Sequence, residues 1–173
     1  IRVSVGKAGT ETPTGTWTMH RAGRWQELMG PSWGQYGTHV VNGIFVHSVA
    51  CGQANSYNLP VGEYLRLGNP ASHGCIRACV ADAKWVWDNC NGSKIHIFDG
   101  TYTSNEALKG PLGRKALTPL RGSKNFDPTD PACKEIIKYS RSEENHSAVG
   151  LNFIKPRGIF QIGGNILFTL SGR

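Results

Sequence analysis

With 173 residues, 22 glycines and only 18% charged residues, the chain is long enough for one domain with a real core. Its composition suits short strands and many turns better than a helical bundle, and apolar runs such as Gly43 to Val46 are too short to cross a membrane. A formal charge of +7 favours anionic partners, but no RNA- or DNA-binding signature accompanies it, so nucleic acid is not expected.

Ile1 to Val5 alternates and stops at Gly6, which reads as a strand. No initiator Met or signal peptide precedes it, so the expectation is a processed or trimmed chain. Thr10 to Thr16 has the turn chemistry to reverse the chain into a strand at Thr16 to His20. Arg21 to Gly37 looks looser and carries Trp25, Trp33 and Tyr36. Thr38 to Val41 and Ile44 to Ser48 flank Asn42-Gly43, a strong hairpin signal that places His47 near a strand end.

Val49 to Ala71 reads as a loop with a helical turn at Gly62 to Leu67. Past Ser72 to Arg77, Val80, Ala83, Val86, Trp87 and Cys90 share one helical face, and Asn91-Gly92 ends it. Ser93 to Phe98 alternates as a strand. The expected organisation is a compact unit at 1–100, a basic loop or linker at 101–126, and a β-rich extension at 127–173 that packs on the first unit or belongs to a second module. Lys109, Arg114, Lys115, Arg121 and Lys124 make the linker basic; solvated charge is the plain reading, with anionic wall polymers as the partner it would suit. Ala132 to Asn145 reads as a short helix, and Gly150 to Ile154 and Gly158 to Leu170 as strands.

The chemistry concentrates in Ser72-His73-Gly74-Cys75-Ile76-Arg77. A free thiol is only a few per cent thiolate at neutral pH, so a nucleophilic cysteine needs a nearby imidazole or the positive end of a helix. Cys75 is expected just ahead of the helix, with the amides of Gly74 and Cys75 facing a developing oxyanion. Arg77 can fork onto a substrate carboxylate. His47 can serve as general base, its tautomer held by Ser48 or a backbone carbonyl.

The Ser-His-Gly-Cys-Ile-Arg run, with an upstream His47-Ser48 ending an apolar strand, resembles the L,D-transpeptidase catalytic domain family. Thr12-Pro-Thr-Gly15, Ala81 to Trp85 and Lys94 to Asp99 resemble further segments of that family, over roughly Ile1 to Asp99. The resemblance implies a mainly β, sandwich-like fold with one principal helix after Cys75, and no metal or other cofactor. It implies that Cys75 attacks a diaminoacid carbonyl in a tetrapeptide stem, expels D-alanine and passes the acyl group to an amine, giving a 3→3 cross-link. His47 would move the proton, Gly74 and Cys75 would supply the oxyanion amides, and Ser72, His73 and Arg77 would shape the site. The upstream histidine, not His73, is the family's base. Peptidoglycan stem peptides would be the partners, carbapenem β-lactams the inhibitors, and a secreted or cell-wall location the setting. Residues 48–71 separate His47 from Ser72 by more than the family's usual spacing, so a larger loop or lid is expected over the site.

Plainer readings stand beside these. Cys79 and Cys90 read as small buried hydrophobes, and His20, His39, His96 and His146 as histidines without special role. If the segment between Cys79 and Cys90 is helical, roughly 16 Å separates them, too far for a disulfide. His47, His73, Cys75 and Cys79 include plausible zinc ligands, but no second pair completes a site. Trp33 and Tyr36 read as packing residues, with a peptide groove as the alternative. An L,D-carboxypeptidase, which sends the thioester to water, is the alternative enzyme; an idle wall-binding module is the alternative of another class.

Overall fold

The computed structural model describes residues 1–99, 120, 125–133, 159–162 and 166–171. Nearly all of the basic linker, the expected helix beyond Cys133 and the strand expected at Gly150 to Ile154 lie outside these residues.

The fold is mainly β, as the sequence implied. In chain order the strands are β1 (Arg2–Ser4), β2 (Gly15–Thr18), β3 (His20–Arg21), β4 (Trp25–Leu28), β5 (Ser32–Gln35), β6 (Thr38–Val41), β7 (Ile44–Ser48), β8 (Ile76–Ala78), β9 (Lys94–Asp99), β10 (Ile159–Ile162) and β11 (Ile166–Ser171). Among the described residues two α-helices interrupt them, α1 (Val61–Leu65) and α2 (Val80–Asn89), and Pro131–Cys133 forms a 3-10 turn. Nine strands form one mixed sheet in the order β2-β9-β11-β10-β1-β8-β7-β6-β3. Met19 alone joins β2 to β3, yet these strands lie at opposite edges. The sheet must therefore roll until its edges meet at Met19, which is fully buried. Rolling encloses the main core, where Val3, Val5, Val40, Val46, Ile76, Ile95 and Ile97 meet Val80, Ala83 and Val86 of α2 and Cys90 at its C-terminal cap. The predicted helix face is the buried one.

The β6–β7 hairpin closes through Asn42 (φ 44°) and Gly43 (φ 76°), the two left-handed residues that a tight hairpin needs. The stretch read as loose instead forms a second, two-stranded sheet, β4 against β5. Its turn is Met29-Gly30-Pro31, with Gly30 at φ 63°. Mixed Trp, Gln and Glu positions gave no alternation to read, because both strands are only partly buried.

The hairpin β10–β11 lies inside the large sheet. β10 runs parallel to β1, and β11 pairs antiparallel with β9 through six residues. At its start α2 has no side-chain cap from Cys79. Asp127 Oδ2 accepts the Val80 N–H at 2.8 Å and Thr129 Oγ1 accepts the Ala81 N–H at 3.0 Å. Without them these two first-turn N–H groups, the Val80 one buried, would lack a partner.

Candidate active site

Parallel pairing of β7 with β8 sets Val46 opposite Ile76, His47 opposite Arg77 and Ser48 opposite Ala78. Val46, Ile76 and Ala78 enter the core; alternation turns His47 and Arg77 to the other face. His47 is 1% exposed. Its Nδ1 bonds to the carbonyl oxygen of Ser48. A carbonyl only accepts, so Nδ1 carries the proton and Nε2 keeps the basic lone pair. Nε2 is buried with no hydrogen-bond partner. Burial pushes the imidazole pKa down from 6.5 to about 4, against the Ser48 carbonyl, and the Arg77 charge adds to the lowering. The ring is therefore neutral at neutral pH, with its base nitrogen unengaged.

Cys75 immediately precedes Ile76, the partner of Val46, so it lies beside the Phe45 end of β7. His47 is two residues farther along that strand, roughly 7 Å. The thiol stands 3.8 Å from the Gly43 carbonyl oxygen. Burial raises its pKa, while the Phe45 backbone amide and Arg77 pull it down. All five cysteines are unpaired, and Cys75 is the one that is not buried. Burial pushes Cys79 up to about 12, and Cys51 and Cys90 up to about 11, so these thiols stay protonated and inert.

The turn that presents Cys75 is tied at every step. Ser72 Oγ donates to the Cys75 carbonyl at 2.6 Å and accepts the Gly74 N–H at 3.1 Å. Thr12 Oγ1 donates to the Gly74 carbonyl at 2.7 Å and accepts the Gly6 N–H at 3.0 Å. The Thr-Pro-x-Gly turn is thus a brace for the cysteine turn. Gly74 itself sits at φ 114°, and a Cβ there would lie 2.7 Å from Ile44 Cδ1.

Two expectations need correction. No helix end faces Cys75: the short strand β8 intervenes and α2 begins only at Val80. A three-residue strand is too short for periodicity to separate from a helix start. The Gly74 N–H, expected to face an oxyanion, is engaged by Ser72 Oγ.

The remaining predicted residues take different places. Ser48 works through both its groups: the carbonyl holds His47, and the hydroxyl accepts the Gln35 N–H at 2.8 Å and donates to the Val49 carbonyl at 3.1 Å. Arg77 donates from Nη1 to Glu63 Oε2 at 2.7 Å, while its Nε is buried without a partner. His73 stands exposed on the turn. Tyr36 is buried in the core, edge-on to Trp87, and so lines no groove.

Sequence reading missed Gly34, Gln35 and Glu63. Glu63, on α1 within the long 48–71 interval, also pairs with Arg66 at 3.0 Å. The β4–β5 hairpin packs on His47, and Cys51 of that interval pairs in turn with Trp33 of the hairpin. A Cβ on Gly34 of β5 would lie 2.6 Å from His47 Nδ1. Among the described residues no cluster of three or more His, Cys, Asp or Glu side chains could hold a metal ion.

Residues 1–102 match the family model YkuD, the L,D-transpeptidase catalytic domain. The YciB protein of Bacillus subtilis (strain 168) is 59% identical over 27 residues, 16% of this chain and 14% of that protein. Among solved structures, an L,D-transpeptidase from Mycobacterium tuberculosis H37Rv is 24% identical over 54% of this chain and 40% of its own, with a TM-score of 0.42. A fused Zn-dependent amidase/peptidase/peptidoglycan-binding domain-containing protein from Clostridium acetobutylicum ATCC 824 is 24% identical over 54% of this chain and 37% of its own, with a TM-score of 0.39. The chain therefore spans at most about two fifths of these relatives.

Proposed function

The chain belongs to the L,D-transpeptidase catalytic domain family, and from that premise we propose that it forms 3→3 peptidoglycan cross-links with Cys75 as nucleophile and His47 as proton carrier. The observation that carries this reading is the pairing of one accessible thiol with one neutral imidazole on the neighbouring strand, whose Nε2 lone pair has no other partner.

In the acylation step His47 Nε2 takes the Cys75 proton as sulfur attacks the diaminoacid carbonyl of a donor stem. The Cys75 N–H steadies the developing oxyanion. The tetrahedral centre collapses, the bond to terminal D-alanine breaks, and the imidazolium gives its proton to the departing amine. An acceptor amine then attacks the thioester, loses a proton to Nε2 and releases the thiolate, which regains that proton. Because both partners rest neutral, the ion pair forms only as substrate arrives. Arg77 favours the thiolate and disfavours the imidazolium.

The same reading places the protein outside the cytoplasmic membrane, in contact with donor and acceptor stems. The excess of basic residues suits anionic wall polymers. Carbapenems would acylate Cys75 by opening the lactam ring on sulfur.

Incubation of the protein and its Cys75→Ala variant with disaccharide-tetrapeptides, read by mass spectrometry, tests the proposal. A Cys75-dependent dimer lacking one D-alanine is expected. Tripeptide alone would move the function to an L,D-carboxypeptidase. A product unaffected by Cys75→Ala would overturn the assignment of the nucleophile, and no product with any stem would favour an idle wall-binding module.

A further inference from the structure

Residues 125–133 lie beyond the stretch that matches the family, yet they reach two elements that frame the candidate site. Asp127 and Thr129 hold the first turn of α2. Asp130, fully buried, reaches in the other direction. Its Oδ2 accepts a hydrogen bond from Gln35 Nε2 at 2.8 Å, and its Oδ1 accepts the Ala132 N–H at 2.8 Å, which fixes the carboxylate. Gln35 is itself buried and gives its backbone N–H to Ser48 Oγ. Its neighbour Gly34 is pressed on the His47 ring, and Ser48 holds the ring's Nδ1. An unbroken line of contacts thus runs from Asp130 through Gln35 to the Nδ1 edge of the imidazole.

We propose that Asp130 is a positioning residue for this site: through Gln35 it latches the β4–β5 hairpin over His47 and keeps the imidazole out of water. This rests on the reading of His47 as the base for its catalytic meaning, but the latch can be tested without turnover. Among the described residues few ionisable groups face the ring. Arg77 lies opposite it on β8 and Cys75 beside the start of that strand. β5 brings the neutral Gly34 and Gln35. On β6 Thr38 faces Val46, and α2 packs on the Val46 side through Val80, Ala83 and Val86. Water let in under the hairpin would therefore act on His47 chiefly through solvation, raising its pKa towards the ordinary value.

The experiment is an NMR titration of the His47 imidazole in the full chain, assigned with His47→Gln, for wild type, Asp130→Ala, Gln35→Ala and the double variant. Both single variants are expected to raise the His47 pKa by about one unit or more, and the double variant by no more than either. Loss of stability alone would leave the titration of the folded form unmoved. If Asp130→Ala does not fold, Gln35→Ala decides, since it leaves the Asp130 turn intact. An unchanged pKa in Gln35→Ala, or additive shifts in the double variant, would overturn the latch. Failure of the muropeptide assay would instead count against the catalytic reading and leave this result standing.

Discussion

The backbone of Gly34 and the ring of His47 lie so close that no side chain fits between them. A Cβ on Gly34 would come within 2.6 Å of Nδ1 and 2.8 Å of Cγ. The glycine is required by proximity to the imidazole.

Gly34→Ala should therefore displace the ring or the hairpin. Overpacking of this kind costs about 1–3 kcal/mol, and the reaction should slow more than the loss of folded protein explains. Thermal melts alongside muropeptide turnover would show this. An alanine variant with wild-type stability and turnover would mean that the hairpin does not rest on the ring in solution.

Acid should destabilise the fold through His47. Its folded pKa, about 4, lies below the ordinary 6.5, so the fold favours the neutral ring. That contribution is complete above about pH 6.5 and is lost as the pH falls towards 4. By pH 4.5 the loss should reach about 2–3 kcal/mol. Asp127, whose pKa burial raises, works in the opposite direction over the acid range. Denaturant unfolding of wild type and His47→Gln between pH 7.5 and 4.5 separates the two: the wild type should lose more, and parallel curves would rule out a buried neutral histidine.

Thr12 joins the Gly6 amide to the Gly74 carbonyl through one hydroxyl. Thr12→Val keeps the shape and leaves both groups unpaired in a buried place, at a cost of about 1–3 kcal/mol. Iodoacetamide labelling of Cys75, followed by peptide mass spectrometry, should also change in rate because the cysteine turn loses its brace. Thr12→Ser should restore most of both properties; a Val variant indistinguishable from wild type would show the brace to be dispensable.

Glu63 neutralises part of the charge that Arg77 presents to Cys75. In Glu63→Gln the thiolate gains, so labelling of Cys75 at pH 7 should rise about two- to five-fold, with the titration midpoint moved down. The effect should shrink with added salt. Slower labelling would mean that Glu63 aims Arg77 and that the aim outweighs the charge.

Much of the scaffold could be read from the chain because it rests on local signals. Asn42-Gly43 marks the hairpin that carries His47, and the spacing of Val80, Ala83 and Val86 marks the buried face of α2. Ser72 to Arg77 is a compact motif, and the structure sets its cysteine and arginine beside the strand bearing His47. The illegible parts are non-local. Gln35 meets Asp130 across 95 residues and Arg77 meets Glu63 across a loop, with nothing in either neighbourhood to announce the partner. β4 and β5 escaped because half-buried strands rich in Gln and Trp lack a clear period.

The place of β10 and β11 in the sheet bears on how the protein is made. Arg2 pairs with Gln161, so β1 has a neighbour on only one side, β8, until residues 159–162 have been synthesised. β9 likewise waits for β11. Sheet assembly is thus a late event in which an early strand must stay competent for pairing while more than 150 residues follow it, and the entropy of closing so long a loop makes that pairing slow. During that interval two facing strand edges stand open, and a molecular chaperone would have its clearest target there.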